Sequence, residues 1–362
     1  MNIKNKLQSF LQGSSGRVKI GKKYVGQNEP VFVIAEIGIN HNGDMEIAKA
    51  LIDKAADAGV DAVKFQKRTT TAILTKEGLE KVYDSPNAFA PTYGEHREKL
   101  EFNIDQYREL KEYSEKVGVL FFASVWDENS ADVLEDLGID AYKIPSADTI
   151  NTHLLEYVAK KDKPVLLSTG MNTELEILHA VKTVQKYNKR IVLFHCLSLY
   201  PSPEEKINMK YMDVLRDTFN PIPVGYSGHE TDLLATLVAV SRGACIVERH
   251  FTLDKNMKGG DHKASLDPKE MTELVSAIRR VEVVLGKSEK IIDEDLIPLR
   301  QKLAKSIASR LYIPKGTLIT RDMLVMKGPG TGFAPYEEDQ VVGHVALQDI
   351  EEDTIISKES IQ

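Results

Sequence analysis

Between Val31 and His250 the chain carries eight apolar runs of strand length, separated by stretches that are mostly of helical period. The runs are VFVIAEIG from Val31, VDAVKFQ from Val60, VLFFAS from Val119, DAYKIPS from Asp140, PVLLST from Pro164, IVLFHC from Ile191, PVGYS from Pro223 and ACIVERH from Ala244. Their apolar residues are nearly continuous rather than alternating, the pattern of parallel strands covered on both faces. The intervening DMEIAKALIDKAADAG offers Asp44 as a cap and places Met45, Ala48, Leu51, Ile52 and Ala55 on one helix face. NTHLLEYVAKK, NMKYMDVLRDTF and ETDLLATLVAVSRG behave likewise. Eight such units predict an α/β protein built as a closed (β/α)8 TIM barrel, with an open doubly wound sheet as the alternative.

VKIGKKYVG, before the first run, has the makings of a hairpin, and the long stretch from Arg68 to Asn103 is an insertion after the second strand. Loops of that length are usually functional or disordered. Beyond Leu285 the period changes to short strands and turns, with an internal echo: IPKGTLITRDML at Ile313–Leu324 against IEEDTIISKESI at Ile350–Ile361. The expected division is a barrel domain with its hairpin over 1–290, a charged linker over 291–305 and a small β-rich domain with pseudo-symmetric halves over 306–362. A net charge of −7 argues against a general electrostatic hold on nucleic acid. Cys196 and Cys245 both lie inside apolar runs, which favours buried free thiols in a reducing cytoplasm over a disulfide. The first residues lack a long apolar core and no run approaches the roughly 20 residues that span a bilayer, so neither export nor membrane insertion is expected.

In a parallel barrel the C-terminal strand ends and their loops build the active site. Here all eight runs end polar: Glu36; Lys64 and Gln66; Ser124; Lys143, then Ser146 and Asp148; Ser168 and Thr169; His195, then Ser198 and Tyr200; Ser227 and His229; Glu248 and His250. Charges inside apolar strands are costly unless paired or ligand-bound, so a convergent set reads as a site. Lys64 and Lys143, with the hydroxyls of Ser146, Ser168 and Ser227, suit a phosphate and a carboxylate on one small ligand. His229 and His250, ending adjacent strands, suit one divalent cation with open positions. Glu36, Asp148 and Asp261 are carboxylates for sugar hydroxyls, proton transfer or the metal's other positions. GRVKIGKK at Gly16–Lys23 only imitates a phosphate-binding P-loop, because Lys23 stands where Ser or Thr must reach magnesium. His41, His96, His153, His179, His262 and His344 show no metal-ligand spacing.

The strings AEIGINHNGD, VKFQ, YKIPSAD, LSTGM, HCLSLYP, GYSGH and VERHFTLDK resemble, in order and spacing, the sialic acid synthase family, and the C-terminal part resembles its antifreeze-like SAF domain. The resemblance implies condensation of phosphoenolpyruvate with N-acetylmannosamine or a related sugar. Carbon 3 of phosphoenolpyruvate attacks the open-chain aldehyde, water adds at carbon 2, and phosphate leaves by carbon–oxygen cleavage. It also implies roles. Lys64, Ser124, Lys143, Ser146, Ser168 and Ser227 would bind phosphoenolpyruvate; Glu36, Asp148, Ser198, Tyr200 and Asp261 would face the sugar; His229 and His250 would hold manganese or magnesium. Glu36, Asp148 and Lys143 are the expected catalytic groups. Asp148 and Ser198 stand where bacterial members often carry Glu and Asn. Those members also place an arginine of a partner subunit's SAF domain in the sugar site, within a string like RPGNG. Here GPGTG puts Gly328 at that place and leaves Lys327 as the nearest cation. The implied assembly is a domain-swapped homodimer. The insertion TYGEHREKLEFNIDQYREL resembles the animal-type synthases that use N-acetylmannosamine 6-phosphate, with Lys67, Arg68 and Arg97 as helpers. Alternatives within the class are legionaminic, pseudaminic and Kdn-phosphate synthases; outside it stand an ice- or partner-binding protein and a barrel aldolase that uses pyruvate.

Overall fold

The computed structural model describes Leu11 and residues 13–362. Residues 1–10 and 12, on which the expected lack of an export segment partly rests, lie outside the described residues. The chain divides into two compact units, Met1–Gly286 and Lys287–Gln362.

The first unit opens with an antiparallel hairpin, β1 (Arg17–Ile20) and β2 (Lys23–Gly26), at the site of VKIGKKYVG. Eight parallel strands follow: β3 (Phe32–Gly38), β4 (Ala62–Lys67), β5 (Leu120–Val125), β6 (Tyr142–Ile144), β7 (Val165–Ser168), β8 (Ile191–Cys196), β9 (Val224–Gly228) and β10 (Ile246–His250). They close into a barrel when β10 pairs with β3. All eight apolar runs become barrel strands, because every one is buried on both sides by the barrel interior and the surrounding helices. The first of those helices, Met45–Asp57, starts where expected: Asp44 Oδ1 accepts from the amides of Glu46 at 2.8 Å and Ile47 at 3.1 Å, and Ala48, Leu51, Ile52 and Ala55 are buried. The insertion after β4 is folded, with short helices at Thr70–Ile73, Lys76–Glu80 and Tyr93–Lys99. Among the described residues no helix is long and apolar enough to cross a membrane.

The second unit has its own core of Ile307, Ile313, Ile319, Leu324, Phe333, Val341, Ala346, Ile350, Ile356 and Ile361. Its strands β11 (Ser306–Ser309) and β12 (Leu324–Lys327) pair antiparallel. The sequence echo is realised position by position. Ile313 bridges Ile350, Gly316 and Asp353 both take positive φ at matching turns (80° and 61°), and the 3-10 turns Arg321–Met323 and Lys358–Ser360 match. The matched apolar pairs Ile319/Ile356 and Leu324/Ile361 are all buried, which is why the echo preserves Ile and Leu while the turn residues drift.

Candidate active site

Alternate residues of a barrel strand point inward, so charge placed two residues apart near a strand end converges on the axis. Glu36 on β3 lies in register with Lys64 on β4 and with His250 on β10; Glu248 on β10 lies in register with Ser227 on β9. The result is a buried ionic cluster. Lys64 Nζ stands 2.6 Å from Glu36 Oε2 and 3.7 Å from Glu248 Oε1, and donates to Ser124 Oγ at 2.7 Å. Lys143 Nζ donates to the same Glu248 Oε1 at 3.1 Å, and Ser227 Oγ donates to it at 3.2 Å. All four charged groups are essentially inaccessible, between 1% and 4% exposed, so each depends on its neighbours for charge balance. Burial works to raise the Glu248 carboxyl, yet Lys143 and Lys64 outweigh it and hold it down at about 2. Burial pulls the Lys143 ammonium below the ordinary lysine value, an effect opposed by Glu248.

A second group gathers around Gly170, just past β7. A Cβ there would lie 2.4 Å from Ser198 Oγ, 2.5 Å from Cys196 Sγ and 2.9 Å from Ser146 Oγ. Only the missing side chain lets these three converge, and Ser146 Oγ and Cys196 Sγ meet at 3.2 Å. Ser168, two residues earlier, is buried.

The third group is aromatic. His229 and His250 have ring centroids 5.4 Å apart, with the Tyr200 ring 4.0 Å from the first and 5.4 Å from the second. His229 Nδ1 meets the Leu197 carbonyl at 2.7 Å; a carbonyl only accepts, so Nδ1 carries the proton and Nε2 keeps its lone pair. Burial, then His250, push His229 down to about 3, so it is neutral at physiological pH. His250 Nδ1 is buried without a hydrogen-bond partner, 3.9 Å from Asp261 Oδ2. Two imidazoles with unused nitrogens fit a divalent cation whose remaining positions are filled by oxygen ligands. Among the described residues no group of three His, Cys, Asp or Glu side chains forms a ready cage, so a cation held here would depend on water or substrate as well.

Not every expected residue joins these groups. Asp148 sits in a 3-10 turn, where its carboxylate accepts from Asn151 Nδ2 at 3.1 Å and burial raises it above the usual carboxylate range. It lines a cavity of about 390 Å³ with Ala72, Trp126, Asp127 and Asn129, formed by the loops after β4, β5 and β6. Lys327, in the second unit, is ion-paired with Asp353. Lys67 and Arg68 share Glu101, at 3.1 Å and 3.0 Å. Arg97 donates to Tyr93 Oη at 2.6 Å. Arg249, the middle residue of the Glu–Arg–His row, points out of the barrel, where it pairs with Glu230 at 3.0 Å and Thr236 Oγ1 at 2.9 Å. Sequence reasoning noticed Glu248 at a strand end but gave it no role. Its spacing two residues before His250 was the available signal that both point inward. Glu101 left no such trace, since nothing in the insertion's pattern shows which carboxylate folds back onto β4.

The chain matches the NeuB family over residues 51–290 and the SAF domain over residues 304–362. It is 40% identical over 340 residues to human N-acetylneuraminate-9-phosphate synthase, covering 94% of this chain and 95% of that one. It is 38% identical over 356 residues to the N,N'-diacetyllegionaminic acid synthase of Legionella pneumophila, covering 97% and 99%. The crystal structure of N-acetylneuraminic acid (sialic acid) synthetase from Leptospira borgpetersenii, in complex with citrate, superposes with a TM-score of 0.71 at 33% identity, covering 81% of this chain and 99% of that one. With a closed barrel, a charged mouth and, later in the sequence, an SAF domain, this chain belongs to the NeuB family of sialic-acid-type synthases.

Proposed function

We propose that the protein condenses phosphoenolpyruvate with an N-acetylmannosamine-type sugar, releasing phosphate and a sialic-type acid. The observation that carries this reading is the buried Lys64–Glu36–Glu248–Lys143 cluster, open to hydroxyls of Ser124 and Ser227 and set beside two histidines at adjacent strand ends. Two lysines and several hydroxyls buried at the barrel mouth give a small polyanion fixed partners with little reorganisation. Lys64 and Lys143, with Ser124, Ser146, Ser168 and Ser227, orient phosphoenolpyruvate so that its carbon 3 faces the aldehyde. Glu36, Asp261, Ser198 and Tyr200 hold the sugar, together with Asp148, whose carboxyl burial raises above the usual carboxylate range. The new carbon–carbon bond turns the aldehyde oxygen into a hydroxyl, which takes up one proton. Water then adds to carbon 2 and gives up one proton; the carbon–oxygen bond to phosphate breaks as the remaining hydroxyl proton passes to the departing phosphate, leaving the keto group. A manganese or magnesium ion between His229 and His250 would supply Lewis-acid polarisation of the aldehyde.

A second reading has the 6-phosphate of the sugar as acceptor. Arg97 and Lys258 favour it: both act electrostatically on His96 and, among the described residues, neither has a carboxylate within ion-pair distance. We read the assembly as a homodimer on the family resemblance, in which Lys327 would have to leave Asp353 to serve a neighbour's sugar site. The test is phosphate release from phosphoenolpyruvate with manganese, supplying in parallel N-acetylmannosamine, its 6-phosphate, mannose 6-phosphate and the diacetamido sugars. Release with one acceptor, abolished by chelator, supports the reading and selects the sugar; no release with any of them refutes it.

A further inference from the structure

The insertion after β4 is tied to the ionic cluster by an unbroken run of polar contacts. Glu101, at its far end, accepts from Lys67 Nζ at 3.1 Å and is ion-paired, without a hydrogen bond, to Arg68 Nε at 3.0 Å. The Arg68 guanidinium lies over the Trp126 ring, 4.7 Å from its centroid, and donates to Gln66 Oε1. Gln66 Nε2 donates to Glu36 Oε1 at 2.9 Å, and the other oxygen of Glu36 meets Lys64.

The order of these contacts fixes their direction. A guanidinium has only donors, so Gln66 must turn its oxygen to Arg68 and its amide hydrogens to Glu36. Without Arg68 the Gln66 amide keeps its hydrogens toward Glu36 but loses the donor that anchors its oxygen, so neither the side chain nor the carboxylate it bonds is held in one place. Arg68 is in turn held in a buried place by Glu101 and by stacking on Trp126. A lysine cannot reproduce this, because its single ammonium lacks the planar fork that spans a carboxylate and an amide together.

We propose that Glu101 and Arg68 are positioning residues for the Glu36 carboxylate, acting through Gln66, so that the insertion sets the geometry in which the sugar is held. The proposal rests on the reading above that Glu36 meets the sugar. It differs from a merely structural role for the insertion, which would lower stability without separating the two substrates.

The experiment is a double-mutant cycle on the full-length, metal-loaded protein, following phosphate release with sugar and phosphoenolpyruvate varied separately. Arg68→Met and Gln66→Leu are each expected to lower kcat/KM for the sugar about 10- to 150-fold, the range for a lost hydrogen bond to a charged group, while KM for phosphoenolpyruvate stays within about twofold. The double variant should be little worse than either single one, since both break the same chain of contacts. Glu101→Gln should act in the same direction and shift the emission of Trp126, the only tryptophan in the chain. Additive effects in the cycle, equal losses for both substrates, or an unchanged Trp126 spectrum in Glu101→Gln would overturn the proposal. Should Arg68→Met fail to fold, Arg68→Lys takes its place, and wild-type sugar kinetics in that variant would overturn it equally. Glu36→Gln separates the two levels: wild-type sugar kinetics there remove the reading that Glu36 meets the sugar, whereas a large loss there with an additive cycle removes only the positioning role.

Discussion

Glu248→Gln isolates the charge that balances the two buried lysines while keeping side-chain shape. In the wild type, Glu248 Oε1 faces Lys143 at 3.1 Å and Lys64 at 3.7 Å, leaving Glu36 as the only other carboxylate in ion-pair range of these lysines among the described residues. Its carboxyl falls from an ordinary 4.5 to about 2, and a shift of that size corresponds to roughly 3 kcal/mol of stability. That agrees with the roughly 3–5 kcal/mol typical of breaking a buried pair from one side. For a unit of 286 residues, whose unfolding entropy is about 0.6 kcal/mol/K, the loss predicts a fall of about 5 °C in the barrel's Tm at pH 7. The pH dependence follows from the sign of the shift. A depressed carboxyl stabilises fully above its unfolded value and loses that contribution as pH falls toward the folded one. The Tm gap between wild type and variant should therefore be constant from pH 7 to about 5.5, then narrow below 4.5 as the value near 2 is approached. Calorimetry across that range is the assay. A Tm at pH 7 within about 1 °C of wild type, too small for a change of even 1 kcal/mol, would refute the reasoning that Glu248 compensates the lysines.

Lys143→Met should lower kcat/KM for phosphoenolpyruvate by about 10- to 150-fold, the value of a hydrogen bond to a charged group, with wild-type kinetics contradicting the assignment. Gly170→Ala should also weaken phosphoenolpyruvate use, because its new carbon would sit 2.4–2.9 Å from Ser198, Cys196 and Ser146 side-chain atoms; steady-state kinetics with an unchanged KM for phosphoenolpyruvate would count against their convergence serving that ligand. Chelation followed by added manganese should abolish and restore turnover, and His229→Gln should weaken manganese binding measured by calorimetry; equal binding in that variant would remove His229 as a ligand.

Of the fold, the barrel was legible because its signal is local and repeated: each of the eight strands is a nearly continuous apolar run, and each strand end carries its own polar residue. The inward direction of Glu36, Lys64, Lys143 and Glu248 follows from strand periodicity alone once the strands are assigned. The echo in the second unit was equally local, because matched burial at Ile319 and Ile356 constrains matched residues. Tertiary structure alone decided which charge answers which. Lys64 and Glu248 are far apart in sequence and meet only because β10 closes on β3; Glu101 returns to Arg68 only through the folded insertion; and Gly170 matters only because Cys196, Ser198 and Ser146 arrive from two other strands. Sequence periodicity tells a residue which way to face, but pair interactions depend on distance in space, and that is fixed only when the barrel closes.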